Sequence, residues 1–122
     1  MCYKLTTMYG LPHGMAAALC MNELWKIMPD PSLECIDQRG RAHLDERLKQ
    51  IALCMGYDDP ADAQKAFDAR LQRWIKDRPA NAAETDLDIL AASVNAERLG
   101  NHPVRLGNGL IRSMYRQILF GE

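Results

Sequence analysis

One histidine at the start of an apolar helix is the residue of this chain that is best placed for chemistry. Pro12 suits the first position of a helix, where a missing N–H costs nothing, and every residue from 15 to 21 is apolar. That run predicts a helix with no solvated face in its first half, passing through a core. His13 would lie at the mouth of this helix beside Gly14, which lets another backbone or a ligand approach closely. Such a histidine either binds a metal or bonds a nearby carbonyl as a structural residue.

Three other patterns offer less chemistry. His43 and Glu46 lie three residues apart, in the reverse order of a di-iron Glu-x-x-His motif and in one copy only, so an exposed ion pair is the better interpretation. His102 stands before Pro103 in a predicted loop, which indicates a turn residue. Residues 107–109, Gly-Asn-Gly, lack the preceding strand and the third glycine of a dinucleotide fingerprint, and they indicate the start of a helix.

Two segments resemble signatures of the iron-containing (group III) alcohol dehydrogenases. Residues 5–19, Leu-Thr-Thr-Met-Tyr-Gly-Leu-Pro-His-Gly-Met-Ala-Ala-Ala-Leu, resemble the run that opens the helical domain of that family, nearest the branch that includes phosphonoacetaldehyde reductases. Residues 94–106 resemble its late motif, with His102 where an asparagine usually stands. The resemblance spans nearly the whole chain. It implies an all-α fold like the C-terminal domain of the dehydroquinate synthase-like and iron alcohol dehydrogenase proteins.

The resemblance further implies that His13 is a metal ligand. In the family an aspartate and three histidines hold the catalytic metal, and His13 matches the last histidine, whereas the other three ligands have no counterpart here. The implied reaction is reversible hydride transfer between NAD(P) and an aldehyde or alcohol, with Fe²⁺ or another divalent metal polarising the carbonyl. Thr6, Thr7 and Tyr9 are candidate pocket residues, although their hydroxyls are expected to bond local backbone groups.

The implied partner is an N-terminal nucleotide-binding domain, which complete members carry before the helical half. A fragment, a truncated gene and one half of a split enzyme remain open alternatives. The chain alone is expected to bind no metal or NAD(P) tightly and to be inactive. An apolar patch near His13, left uncovered, could drive self-association. The alternative function is a stand-alone helical interaction module that has lost the catalytic chemistry.

Composition favours one cytoplasmic domain over residues 1–122. The chain is 48% hydrophobic, so it can form a core, and its 122 residues are enough for one domain and too few for two. Fifteen basic and sixteen acidic residues alternate in sign, so neither nucleic acid nor a membrane surface is an expected partner. No signal-peptide pattern or membrane-length apolar run is recognised. No Cys-x-x-Cys spacing occurs, and two cysteines lie in apolar helical patterns, so buried reduced thiols are expected of Cys2, Cys20, Cys35 and Cys54.

Helical periodicity predicts a bundle of about five helices and no strand. The helices begin near residue 12, after Gly40, after Asp59, after Thr85 and near Asn108. The third has the clearest start, because Asp59 can cap free N–H groups and Pro60 suits the first position. Its predicted buried stripe is Phe67, Leu71, Trp74 and Ile75. Thr85 and Asp88 form an acidic variant of the capping box for the fourth helix.

Overall fold

The computed structural model describes residues 1–75 and 78–121, and the all-α prediction is confirmed over them. These residues form seven helices, namely α1 (Cys2–Tyr9), α2 (His13–Ile27), α3 (Arg41–Cys54), α4 (Pro60–Trp74), α5 (Asp86–Ala92), α6 (Ala96–Leu99) and α7 (Asn108–Phe120). A single antiparallel bridge joins Cys35 to Val104. The part of the chain that is described therefore contains two more helices than the five predicted.

Five helices begin at or next to the positions predicted for them. The Asp59 carboxylate accepts a hydrogen bond from the backbone N–H of Ala61 at 2.8 Å, and Pro60 opens α4. Gly56 follows α3 with a positive φ of 85°, which is the left-handed position expected after a helix end. Gly107 is the N-cap of α7, as the Gly-Asn-Gly segment predicts.

The two additional helices have short-range explanations that the sequence analysis misses. Gly10, with φ of 69°, ends α1, and its N–H donates to the Thr6 carbonyl at 3.0 Å. A left-handed glycine of this kind is a common helix stop. The four-residue α6 begins after Asn95, whose side chain accepts from the Arg98 N–H at 2.9 Å.

The predicted capping box at the start of α5 is wrong. Thr85 makes no side-chain hydrogen bond to the start of that helix. The Asp86 side chain forms the hydrogen bonds at this helix start instead. Its Oδ2 accepts from the Ala83 N–H at 2.9 Å and from the Tyr9 hydroxyl at 2.8 Å. A contact with a residue 77 positions away therefore replaces the expected local one.

Helix α2 is the central element, as its apolar sequence predicts. It packs against α1, α4 and α7, while α3 packs on α4 and α5 packs on α7. The larger core joins one face of α2 to α7 and α5, and a smaller core lies between the second half of α2, α3 and α4. The rings of Trp25 and Phe67, 5.7 Å apart between centroids, link α2 to α4 beside the smaller core.

Several apolar side chains face solvent, which corrects three expectations. Met21 is 47% exposed, so α2 does have a solvated side in its first half. Trp74 was expected in the buried stripe of α4 and is 73% exposed, because α4 ends at that residue and the backbone becomes extended at Ile75. Cys54 is exposed at the end of α3 rather than buried. Within residues 1–75 and 78–121, no helix combines the length and the apolar character that a membrane crossing requires.

Candidate functional site

The His13 imidazole stands at the surface, at the first residue of α2. Its ring lies against that of Tyr3, with 5.5 Å between centroids and 40° between planes. No hydrogen bond to this imidazole is formed within residues 1–75 and 78–121. His13 therefore does not bond a carbonyl in the described part of the chain, as a structural histidine would. Its ring nitrogens are available to an external group.

His13 belongs to no metal-ligand cluster within residues 1–75 and 78–121. Among the residues that the structure describes, no group of three or more His, Cys, Asp and Glu side chains is arranged to hold a metal ion. Metals of this class require several protein ligands together with an open position for substrate. One exposed imidazole does not meet that requirement by itself.

The three hydroxyl groups near His13 have different environments. Thr7 donates to the Lys4 carbonyl at 3.3 Å, which is the local backbone bond expected of it. Tyr9 instead donates to the Asp86 carboxylate across the fold, and burial together with that carboxylate raises the pKa of Tyr9 above its usual range. The Thr6 hydroxyl is buried and has no hydrogen-bond partner in the described chain. None of the three lines the two surface depressions described next.

Two neighbours of His13 line surface depressions, although His13 itself lines neither. Pro12, its neighbour in the chain, lines a cleft of about 170 Å³ together with the exposed ring of Trp74; we name it the Trp74 cleft. Tyr3, whose ring contacts His13, is 65% exposed and belongs to the wall of a larger depression. The imidazole therefore contacts one exposed aromatic ring, that of Tyr3, and follows a proline that lines the Trp74 cleft.

The larger depression, which we name the α2 cavity, has a volume of about 470 Å³. Its floor is one face of α2. One wall is formed by residues 1–4 and the other by residues within 93–106. The floor residues are Ala17, Cys20, Met21, Leu24 and Met28.

His102, in the second wall, makes the local contact expected of a turn residue. Its Nδ1 lies 2.8 Å from the Val104 carbonyl oxygen and 3.3 Å from the Val104 backbone nitrogen. Its Nε2 is buried without a hydrogen-bond partner among the described residues. The predicted ion pair of His43 and Glu46 is not formed, since Glu46 accepts from Gln50 Nε2 at 3.2 Å instead.

The cysteines do not form a reactive cluster. All four are free thiols. Cys20 is 4% exposed, and burial raises its pKa to about 12. A thiol with so high a pKa is a poor nucleophile and a poor metal ligand at neutral pH, because only the thiolate reacts.

Comparison with protein-family models, with curated proteins and with solved structures finds no match to this chain. The resemblance to iron-containing alcohol dehydrogenases accordingly rests on residues 5–19 and 94–106 and on the position of His13.

Proposed function

We propose that this chain is the helical, metal-binding half of a metal-dependent, NAD(P)-linked alcohol dehydrogenase or aldehyde reductase. In this proposal His13 contributes one ligand to a divalent metal that is shared with a nucleotide-binding domain. The observation that carries the proposal is the exposed His13 imidazole at the first residue of α2, with no hydrogen bond from the described residues. An outward-facing imidazole can reach ligands on another domain, whereas a buried one could not.

Each residue near the proposed site has a defined part in it. His13 holds the ion through a ring nitrogen, and the Tyr3 ring restricts the orientations available to that imidazole. A bound divalent metal supplies Lewis-acid polarisation of a substrate carbonyl. Pro12 and Trp74 offer apolar surface beside His13, where a covering domain would exclude water. Aromatic side chains are enriched in the buried centres of protein interfaces, so exposed Trp74 suits this position.

The proposal includes the partner and the location. The nucleotide-binding domain is the expected partner, and a second copy of the chain could cover the same apolar surface in its absence. The helical domain would resemble those of the dehydroquinate synthase-like proteins. The near-neutral charge of −1 favours neither nucleic acid nor a membrane surface as a partner, and the free thiols favour the cytoplasm.

A stand-alone helical interaction module is the second candidate function. It is favoured by the exposure of Trp74 and Tyr3, together with the lack of a ligand cluster within residues 1–75 and 78–121. In such a module Trp74 would be required for partner binding and His13 would not. The two functions therefore differ in which residue matters.

Metal binding by a fusion protein tests the proposal. A nucleotide-binding domain from an iron-type alcohol dehydrogenase, with the aspartate and two earlier histidines of that family, is joined ahead of Met1. After dialysis against Fe²⁺ or Zn²⁺, the metal bound per chain is measured by mass spectrometry, and alcohol-dependent NADH formation is followed separately. We expect the His13→Ala fusion to lose most of its bound metal. The matched control, His43→Ala on α3, should retain it.

Equal metal content in the His13→Ala fusion and its parent would contradict the proposal and favour the interaction module. A second measurement uses the chain as it stands, in case the fusion does not fold. In a Zn²⁺ titration followed by NMR of the imidazole resonances, His13 should shift at lower metal concentration than His43 and His102. A uniform response of the three histidines would also contradict the assignment.

A further inference from the structure

The α2 cavity shares only Tyr3 with the proposed metal site and has the shape of a site for an elongated apolar molecule. Its floor residues recur at helical spacing, so they share one face of α2. From Ala17 to Met28 this face extends about 16 Å at 1.5 Å per residue. Met21 in the middle of the floor is 47% exposed. The floor is thus an apolar strip that is open to solvent.

The walls add positive charge to this strip. Lys4 lies in the α1 wall and Arg98 in the α6 wall, and no Asp or Glu is among the described lining residues. Neither cation forms an ion pair within residues 1–75 and 78–121. Some other surface cations have partners, such as Arg105 with Glu34 and Arg112 with Asp88, whereas Lys49 and Arg73 likewise form no ion pair with the described residues. Two cations without a partner, one on each wall, are complementary to an anionic group above the apolar floor.

We propose that the α2 cavity binds a single-chain amphipathic carboxylate. The hydrocarbon chain lies along the floor from Ala17 to Met28, and the carboxylate pairs with Lys4 and Arg98. The volume of about 470 Å³ falls in the range of small-molecule sites. Met21 and Met28 suit such a ligand because unbranched thioether side chains adapt to different chain shapes. The guanidinium of Arg98 can donate hydrogen bonds to both carboxylate oxygens at once. This site is independent of His13, which does not line the cavity.

Calorimetric titration of the whole chain with dodecanoate, below its micelle concentration, tests the proposal. We expect one molecule bound per chain. Because each buried methylene contributes roughly a fourfold change in affinity, decanoate should bind about 15-fold more weakly. Dodecyltrimethylammonium has the same chain length and the opposite charge, and it should bind at least about tenfold more weakly than dodecanoate. Acetate, which has the head group alone, should show no binding.

Two pairs of variants locate the binding. Met21→Glu places a carboxylate on the floor and should weaken dodecanoate binding by more than about tenfold. The matched control Leu53→Glu changes a residue of α3 that is 52% exposed and lies outside the cavity, and it should leave the affinity unchanged. The double variant Lys4→Gln/Arg98→Gln should remove the preference for the anionic amphiphile. Lys49→Gln/Arg73→Gln, on exposed positions of α3 and α4, should retain that preference.

Thermal unfolding of every variant confirms that it is folded before its affinity is compared. Binding that does not depend on chain length or on the sign of the head group would overturn the proposal, as would equal losses in Met21→Glu and Leu53→Glu. Sedimentation tests whether a second copy of the chain covers the cavity instead. A dimer that Met21→Glu dissociates, together with no binding of dodecanoate, would overturn the proposal and show that the cavity is a dimer interface. Failure of His13 as a metal ligand leaves all these expected results unchanged.

Discussion

Replacing Asn22 by alanine tests how much the amide contacts between α2 and α4 stabilise the bundle. Asn22 is 1% exposed and is the one polar side chain classed as buried in the described chain. Its Nδ2 donates to Asp68 Oδ1 at 2.6 Å, and its Oδ1 accepts from Gln64 Nε2 at 3.1 Å. These two partners belong to α4, and a longer contact of 3.4 Å joins the same Nδ2 to Glu23 Oε1 within α2. A single side chain thus satisfies its amide by bridging two helices.

The expected loss follows from these two hydrogen bonds. A hydrogen bond to a charged acceptor contributes about 1.5–3 kcal/mol and a neutral one about 0.5–1.5 kcal/mol. The Asp68 side chain is 32% exposed, so water replaces part of the lost bond in the variant and the lower end of each range applies. We therefore expect Asn22→Ala to lower the free energy of unfolding by about 2 kcal/mol.

The loss should also depend on pH. Burial raises the pKa of Asp68, but hydrogen bonds from Asn22 and Gln72 and the charge of Lys26 more than offset this, so its pKa lies below the usual value. A carboxyl group with a lowered pKa in the folded state contributes stability above its unfolded pKa, and this contribution is lost as the pH falls through the folded pKa. The difference between the parent and Asn22→Ala should accordingly shrink below about pH 4.

Urea unfolding followed by circular dichroism, at neutral pH and near pH 3, measures both effects. With a slope of about 1–3 kcal/mol per molar urea, the midpoint at neutral pH should fall by about 1 M. The control is Gln50→Ala, because Gln50 is exposed on α3 and bonds only neighbouring surface side chains. That control should change stability by less than about 0.5 kcal/mol. A loss in Asn22→Ala no larger than in the control, or one that grows in acid, would refute the reasoning.

Three further predictions concern exposure. His13→Ala should cost well under about 1 kcal/mol, because the imidazole is exposed and packs only against Tyr3; a loss of several kcal/mol in urea unfolding would show a structural role. A thiol reagent should label the exposed Cys54 in the folded chain and label Cys20 only on unfolding, since Cys20 is 4% exposed and its pKa is raised to about 12; equal labelling rates would contradict this. Acrylamide should quench fluorescence mainly from Trp74, which is 73% exposed against 7% for Trp25. Trp74→Phe should therefore remove most of the quenching. Quenching that persists in this variant would contradict the exposure of Trp74 at the end of α4.

Much of the helix pattern could be predicted from the sequence because the signals that start and stop helices are local. Asp59 with Pro60, Gly56 and Gly107 each act within a few residues of a helix end, and each functions as predicted. Gly10 is a signal of the same kind, because it ends α1 in the left-handed conformation. The prediction did not include a helix before it. The position of His13 at a helix start was predictable for the same reason.

Only the tertiary structure decided which faces are covered and which contacts form across the fold. Periodicity assigns Trp74 and Leu71 to one stripe of α4, but only Leu71 packs into the larger core, whereas Trp74 is the last residue of the helix and is 73% exposed. Asp86 bonds to Tyr9, 77 residues away. The α2 cavity likewise combines α2 with residues 1–4 and 93–106. Such features depend on how distant segments pack, and helix propensity and capping within a few residues carry no information about that packing.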